Sequence, residues 1–133
     1  MRTVLANGCF DVLHYGHLVH LQQARDMGDK LVASVTRDRA VNKGAGRPVF
    51  DEHKRIHVVR GLRCVDDSVL VDSLMEALMI VRPTILVKGP DYCLANIETQ
   101  HREYCEQHGI EIRFTSGPKF SSTDLIERLK RES

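Results

Sequence analysis

Short apolar runs alternate with longer segments of helical periodicity along almost the whole chain. Residues 3–6 form a short apolar run, and Leu18, Leu21 and Ala24 then recur at the spacing of one helix face. Apolar positions are nearly continuous in a strand buried on both faces, whereas on a helix they recur every three or four residues. The pattern predicts strands at residues 3–6, 31–35, 68–71, 85–87 and 110–114, helices at residues 15–27, 51–62, 73–81 and 97–108, and a final charged helix from Ser122 or Thr123.

Small and polar residues mark the ends of the predicted helices. Asp51 suits an N-cap, and Ser73 with Glu76 three residues later matches a capping box. Gly28 follows the first helix as the expected C-cap, and Pro83 marks the end of the third helix. These signals set the element boundaries, while the apolar pattern sets the element types.

The regular alternation of strand and helix predicts the fold class. Right-handed crossovers between such elements give an α/β fold, with a doubly wound, Rossmann-like parallel sheet of about five strands and helices on both faces. We expect one domain over residues 1–133, since this length is close to that of a typical domain. Ligands of doubly wound sheets bind beyond the carboxyl ends of the strands. The candidate ligand loops are therefore residues 7–14, 37–50, 88–92 and 115–122.

Composition narrows the classes of function. The 19 basic and 18 acidic residues give a net charge of +1, and no basic run is interleaved with aromatic residues, so we expect no nucleic-acid partner. No apolar stretch approaches the ~18 residues of a membrane helix, and the N-terminal apolar run is too short for a secretory signal. We therefore expect a cytoplasmic protein with no membrane partner. The widely spaced cysteines indicate free thiols: Cys9, Cys64, Cys93 and Cys105.

The segment from Asp11 to His17 concentrates the candidate chemistry where the first strand gives way to the first helix. His14 and His17 are three residues apart at the predicted helix start, so they share a face. Gly16 lacks a Cβ and lets a ligand approach the backbone, and the helix N-terminus favours an anion. The pattern predicts a phosphate site. Bound polyphosphate should favour the imidazolium forms, and both histidines can stabilise charge that develops during phosphoryl transfer.

Other interpretations of this segment compete with the phosphate site. His20 continues the three-residue spacing, but a helix turns about 100° per residue, so His20 lies about 120° from His14 and does not converge on a zinc ion. We expect His20 to be structural or solvent-facing. No Gly-x-Gly-x-x-Gly supports a dinucleotide loop, which leaves a pair of unrelated surface histidines as the simpler alternative. Asp11 either binds Mg²⁺ or braces the loop backbone.

A known family signature closely resembles residues 7–17, which read Asn7-Gly8-Cys9-Phe10-Asp11-Val12-Leu13-His14-Tyr15-Gly16-His17. It is the signature of the cytidylyltransferase-like nucleotidyltransferases. The resemblance implies a Rossmann-like fold and the transfer of a nucleotidyl group from an NTP to a phosphate, with release of pyrophosphate. It also implies that Mg²⁺ is held mainly by the NTP phosphates, with Asp11 as the candidate protein ligand. In this resemblance His14 and His17 are catalytic, and the nucleotide is bound by Gly8, Cys9, Phe10, Asp11 and Gly16.

Later segments resemble the heptose-1-phosphate adenylyltransferases in particular. Residues 43–48 resemble their Lys-Gly-x-x-Arg-Pro loop, and residues 86–92 resemble their Leu-Val-Lys-Gly-Gly-Asp-Tyr, with Pro90 in place of a glycine. Residues 120–123 are similar to their Cys-Ser-Thr-Thr. The resemblance implies that Lys43 is catalytic. It assigns nucleotide binding to Arg47, Lys88, Ser121, Ser122 and Thr123, and substrate binding to Arg55, Asp91 and Tyr92.

A second subfamily is represented by Arg63-Cys64-Val65-Asp66-Asp67. This run resembles the Arg-Tyr-Val-Asp-Glu of glycerol-3-phosphate and choline-phosphate cytidylyltransferases, which implies that Arg63 binds the nucleotide. A structural ion pair between Arg63 and Asp66 is the alternative. The Arg-Thr-x-Gly of those enzymes is absent, since Ser116-Gly117-Pro118-Lys119 stands in its place. The choice between ATP and CTP therefore stays open.

The resemblance makes a nucleotidyltransferase acting on a phosphorylated sugar or polyol the leading hypothesis, most like heptose-1-phosphate adenylyltransferase in nucleotide-sugar synthesis. One alternative is a CTP-dependent enzyme acting on glycerol 3-phosphate or a related phosphate. Another is a non-catalytic nucleotide-binding regulatory module, which the fold alone does not exclude. Homodimers are common among such enzymes, and the helix that follows Asp51 could supply the dimer face.

Overall fold

The protein is built on a five-stranded parallel sheet. A computed structural model describes residues 1–116 together with Ile126, Leu129 and Lys130. The strands are β1 (Thr3–Gly8), β2 (Lys30–Thr36), β3 (Asp67–Val71), β4 (Ile85–Lys88) and β5 (Glu111–Phe114). Their order across the sheet is β3-β2-β1-β4-β5. This arrangement confirms the predicted doubly wound, Rossmann-like sheet.

Four helices and two short 3₁₀ turns connect the described strands. The helices are α1 (Tyr15–Asp26), α2 (Glu52–Arg60), α3 (Leu74–Val81) and α4 (Thr99–Gln107). The helix expected from residue 97 begins two residues later, because Leu94–Asn96 form a separate 3₁₀ turn and the extended Ile97 is buried against the core. The helix expected from Ser122 or Thr123 lies outside the described residues. No helix among the described residues has the length and apolar content that crossing a bilayer requires.

Helices cover both faces of the sheet, as predicted. Alternate residues of β1 point to opposite faces: Val4 and Ala6 belong to one apolar cluster and Leu5 belongs to the other. The first cluster contains apolar residues of α1 and α2, and the second contains those of α3 and α4. Each fully buried aliphatic side chain stabilises the fold by about 1.5–3 kcal/mol relative to an exposed one. The two apolar layers therefore hold the sheet rigidly and leave its carboxyl edge to the loops.

Two of the three predicted cap residues, Asp51 and Ser73, are confirmed. The Asp51 side chain accepts a hydrogen bond from the Lys54 N–H, and the Ser73 hydroxyl accepts one from the Glu76 N–H. The prediction that Gly28 is the C-cap of α1 is wrong, because Met27 is the C-cap. Gly28 instead permits a close approach: a Cβ there would lie 2.7 Å from the carbonyl oxygen of Arg2.

The topology leaves a crevice beside the central strand. The chain leaves β1 toward β2 on one side and returns through α3 to β4 on the other side. A doubly wound sheet binds its ligands where the strand order reverses in this way. The loops after β1, β2 and β4 all meet at this edge, so they define where the site must lie.

Candidate active site

A cleft with two connected lobes lies at the carboxyl ends of β1 and β4. The larger lobe has a volume of about 330 Å³ and the smaller about 210 Å³. Both lobes are lined by Asn7, Gly8, Cys9, His20, Lys43 and Gly89. Lys88 and Tyr92 line the larger lobe, while Phe10, Asp11, His14, Gly16, His17 and Asp91 line the smaller. The structure thus brings most of the residues named by sequence into one cleft.

The two histidines of the loop cap α1 with their own imidazole rings. The Gly16 N–H donates to His14 Nδ1 at 3.0 Å, and the His14 N–H donates to His17 Nδ1 at 3.2 Å. A backbone N–H can only donate, so both Nδ1 atoms act as acceptors and carry no proton. Each ring is therefore neutral and keeps its hydrogen on Nε2. The two ring centroids are 4.1 Å apart, and both residues line the smaller lobe.

Burial keeps these rings neutral. It lowers the pKa of His17 to about 4, with help from His14, His20 and the nearby Lys43 ammonium. Burial also lowers the pKa of His14. In the ligand-free protein both histidines are thus neutral donors at pH 7. The imidazolium form expected with bound polyphosphate would require His17 to release the backbone N–H of His14.

Asp11 braces the loop after β2. Its buried carboxylate accepts from Val49 N at 2.7 Å, Phe50 N at 3.0 Å and Arg47 Nε at 2.9 Å. Burial alone would raise the pKa of Asp11, but these hydrogen bonds and the Arg47 charge outweigh it and the pKa lies below its usual value. Since both carboxylate oxygens are engaged by donors, the structure supports the bracing role over direct binding of Mg²⁺.

The loop that carries Asp11 has a strained backbone. Phe10 and Val12, on either side of Asp11, adopt φ angles of 54° and 49°, in the left-handed region. Such a conformation costs a non-glycine residue about 1–2 kcal/mol. Gly8 makes room for it, because a Cβ there would lie only 3.1 Å from the Phe10 ring. The buried bonds of Asp11 offset this cost and fix the loop beneath the smaller lobe.

Two lysines border the cleft from different loops. Lys43 is exposed and lines both lobes, close enough to His17 to lower the pKa of that ring. Lys88 ends β4, and its Nζ lies 4.3 Å from the centroid of the Tyr92 ring. Burial lowers the pKa of Lys88. The larger lobe is lined by both lysines and the smaller lobe by Lys43, which makes the cleft suitable for a polyanion.

Comparison with known proteins identifies the family. The model of the cytidylyltransferase-like family matches residues 5–128. The chain belongs to that family. It is 37% identical to the bifunctional protein HldE of Geobacter sulfurreducens over 135 residues, which cover 96% of this chain. It is 38% identical to the HldE of Helicobacter hepaticus over 98% of this chain. The chain spans 27% of the length of each of these relatives.

Solved structures agree with this assignment. The lipopolysaccharide core biosynthesis protein of Thermoplasma volcanium superposes with a TM-score of 0.77 at 30% identity, covering 90% of this chain and 99% of that protein. Pantothenate synthetase of Thermus thermophilus, at 15% identity and a TM-score of 0.67, covers 97% of this chain and 63% of its own, and shares the fold alone. Family and relatives together indicate a nucleotidyltransferase.

Arg55 was expected to bind the substrate, but in the structure it is bonded inside the protein. This side chain is 1% exposed, and it donates to the carbonyl oxygens of Phe50, Cys9 and Thr36 and to the carboxylate of Asp38. All three guanidinium nitrogens are therefore used inside the protein. Arg55 ties the ends of β1 and β2 to the start of α2 and does not contact the cleft as a substrate ligand would.

Two other arginines also lie away from the expected phosphate positions. The Arg47 side chain is 6% exposed and pairs with Asp11, so it holds the loop and does not line the cleft. Arg63 is exposed in the turn before β3, at the amino edge of the sheet and opposite the cleft. The alternative pair of Arg63 with Asp66 is replaced by Arg25, whose Nε lies 3.0 Å from the Asp66 carboxylate.

Sequence reasoning missed His20 in the nucleotidyltransferase cleft. The ring is half-buried, lines both lobes and has its Nδ1 atom 2.7 Å from the Thr115 hydroxyl. The signal for His20 in the sequence was its position about one helical turn after His17. The predicted phosphate contacts Ser121, Ser122 and Thr123 lie outside the described residues.

Acid should destabilise this domain through His17. The folded pKa of about 4 lies below the ordinary value of about 6.5, so the unfolded chain binds the extra proton between these values. The stabilising contribution is complete above pH 6.5 and is lost as the pH falls toward 4. Urea denaturation from pH 8 to pH 4 should show that His17→Asn, whose amide oxygen can still cap, loses about 1–3 kcal/mol less stability than the wild type. Parallel losses in the two proteins would contradict this assignment.

Proposed function

We propose that this domain transfers a nucleotidyl group from an NTP to the phosphate of a sugar phosphate and releases pyrophosphate. The observation that carries the proposal is the pair of neutral imidazoles of His14 and His17, which line the same lobe as Lys43 where the strand order reverses. This arrangement favours a site for a phosphate chain that gains negative charge as it reacts. The product would be a nucleotide-activated sugar.

The chemistry needs little from the protein beyond positioning. An oxygen of the acceptor phosphate attacks the α-phosphorus in line, a new P–O bond forms, and the bond to the leaving pyrophosphate breaks. The attacking oxygen is already anionic, so no general base has to remove a proton. His14 and His17 would donate to the α-phosphate region, and Lys43 would neutralise the leaving phosphates. Neutral histidines suit this role because each Nε2–H can stabilise the developing charge by a hydrogen bond and does not have to be transferred.

The residues of the cleft fit an Mg²⁺ ion that arrives with the nucleotide. Both oxygens of Asp11, the candidate protein ligand, already accept hydrogen bonds. Phosphate oxygens are the usual partners of Mg²⁺ in such sites. The ion would therefore be held by the triphosphate, where it supplies charge neutralisation, while the protein orients the phosphates around it.

Two observations favour a sugar phosphate and ATP over glycerol 3-phosphate and CTP. The structural relative from Thermoplasma volcanium is named for lipopolysaccharide core biosynthesis, and a polysaccharide is built from sugars. Arg63, the residue that pointed to the glycerol-phosphate enzymes, lies at the sheet edge opposite the cleft. The acceptor we propose is accordingly a heptose-type sugar 1-phosphate, and the nucleotide is ATP.

Pyrophosphate release tests the proposal directly. ATP and CTP are each supplied with Mg²⁺ and a panel that contains heptose 1-phosphate, several hexose 1-phosphates and glycerol 3-phosphate. We expect pyrophosphate only when a sugar 1-phosphate is present, and more with ATP than with CTP. Release with CTP and glycerol 3-phosphate alone would reassign the substrate. Tight NTP binding with no release on any acceptor would instead support a non-catalytic module.

A further inference from the structure

The third imidazole of the cleft, His20, is bonded differently from the other two. His14 and His17 accept backbone N–H groups at Nδ1, whereas His20 Nδ1 lies 2.7 Å from the hydroxyl oxygen of Thr115. A hydroxyl can donate or accept, so this contact alone leaves open which atom carries the proton. The surroundings of Thr115 and His20 decide between the two tautomers.

The Thr115 hydroxyl has a second hydrogen-bond partner, the carbonyl oxygen of Lys88. Its Oγ1 donates to the carbonyl oxygen of Lys88 at 3.5 Å, and the Thr115 N–H donates to the same oxygen at 3.0 Å. With its single hydrogen directed to Lys88, the hydroxyl oxygen accepts from His20 Nδ1–H. The ring then carries its hydrogen on Nδ1 and leaves a lone pair on Nε2.

The surroundings of His20 keep the ring neutral. Burial lowers the pKa of His20, and the nearby Lys88 ammonium lowers it further. Lys88 and His20 line the larger lobe together, so the ammonium group opposes a second proton on this ring.

We propose that His20 is a specificity-determining residue, whose Nε2 accepts a hydrogen bond from a neutral O–H or N–H group of a substrate where the two lobes meet. The proposal rests on the proposed function and deepens it. Phosphate oxygens are acceptors at neutral pH, so they satisfy His14 and His17 but cannot satisfy an acceptor nitrogen. A sugar hydroxyl or the amino group of a base supplies the donor that His20 requires.

Deoxy and deamino analogues separate the two sources of that donor. One arm uses the accepted NTP with its 2′-hydroxyl, its 3′-hydroxyl or its base amino group removed, and the other uses the accepted sugar phosphate with single hydroxyls removed. In the wild type, one analogue should lose about 10-fold or more in kcat/KM. His20→Phe should show the same loss with the parent substrate, mainly through KM, and should no longer distinguish the parent from that analogue.

Matched variants guard against a merely structural effect. His101→Phe alters another imidazole near Lys88, mostly buried but absent from the lining of either lobe, and should keep the wild-type discrimination. His20→Gln keeps an acceptor atom and should restore part of the discrimination between the parent substrate and the analogue. This variant also replaces His20→Phe in the test if the phenylalanine variant does not fold. The proposal is overturned if His20→Phe discriminates like the wild type in both arms, or if His101→Phe loses discrimination equally.

Failure of the proposed function is distinguishable from failure of this inference. If the wild type releases no pyrophosphate with any acceptor, the proposed function fails on that result alone. The same parent ligands and analogues are then compared by isothermal titration calorimetry. A 10-fold preference for a parent ligand in the wild type that is absent in His20→Phe would still support the hydrogen bond, and no difference between the two proteins would overturn it.

Discussion

Replacing His14 or His17 by asparagine should lower kcat for nucleotidyl transfer by about 10²–10³-fold while the domain stays folded. The amide oxygen of asparagine occupies nearly the place of imidazole Nδ1, so it can still accept the backbone N–H that each ring caps. The Nε2–H donor is lost. Because that donor acts on charge that develops in the transition state, kcat should fall far more than KM rises. Pyrophosphate release and thermal melting check the two halves of this expectation.

Glutamine at the same positions is the reciprocal control. Its longer amide places a donor near the position of Nε2 and leaves the backbone N–H of the cap without its acceptor. His14→Gln and His17→Gln should therefore be less stable than the asparagine variants, by about 1 kcal/mol, yet retain more activity. Equal activity of the wild type and both asparagine variants would show that the imidazole donors do not serve the chemistry, and the proposed mechanism would be wrong.

The sheet could be predicted because its signal is local. Each strand is a short apolar run, and caps such as Asp51 and Ser73 mark the helix starts. The order β3-β2-β1-β4-β5 follows from right-handed crossovers once those elements are in place. The late start of α4 depends on the burial of Ile97 in the tertiary structure, which the helical spacing of the sequence does not register.

The position of a candidate residue could be predicted where it lies next to the end of a strand, but not where it comes from a distant loop. The motif from Asp11 to His17 lies directly at the cleft, so its position follows from the fold. Arg47 and Arg55 resemble phosphate ligands in sequence, but both guanidinium groups turn inward because buried carboxylate and carbonyl oxygens require donors. The direction of a long side chain depends on such long-range partners, which no local pattern shows.

Removing the Arg55 guanidinium should be the most destabilising single change outside the apolar core. Arg55→Met keeps much of the buried volume but leaves the carbonyl oxygens of Cys9 and Thr36 without this donor, and it leaves Asp38 without its cation. Each buried acceptor left without its donor costs about 1–3 kcal/mol, whereas the Asp38 carboxylate is 40% exposed and is solvated by water. Urea denaturation should show a loss of that order, with Cys9 and the catalytic loop becoming accessible at lower urea than the sheet.

Arg39→Met provides the matched comparison, because Arg39 also forms a bidentate pair, with the Asp72 carboxylate at 2.6 and 2.7 Å, but on the surface. Water already solvates both of those charges, so its loss should change the urea midpoint very little. The contrast tests whether burial, and not the number of hydrogen bonds, makes Arg55 important. If the two variants had equal midpoints, the loops around the cleft would have to be held mainly by the bonds of Asp11, and Asp11→Asn would then be the variant that releases them.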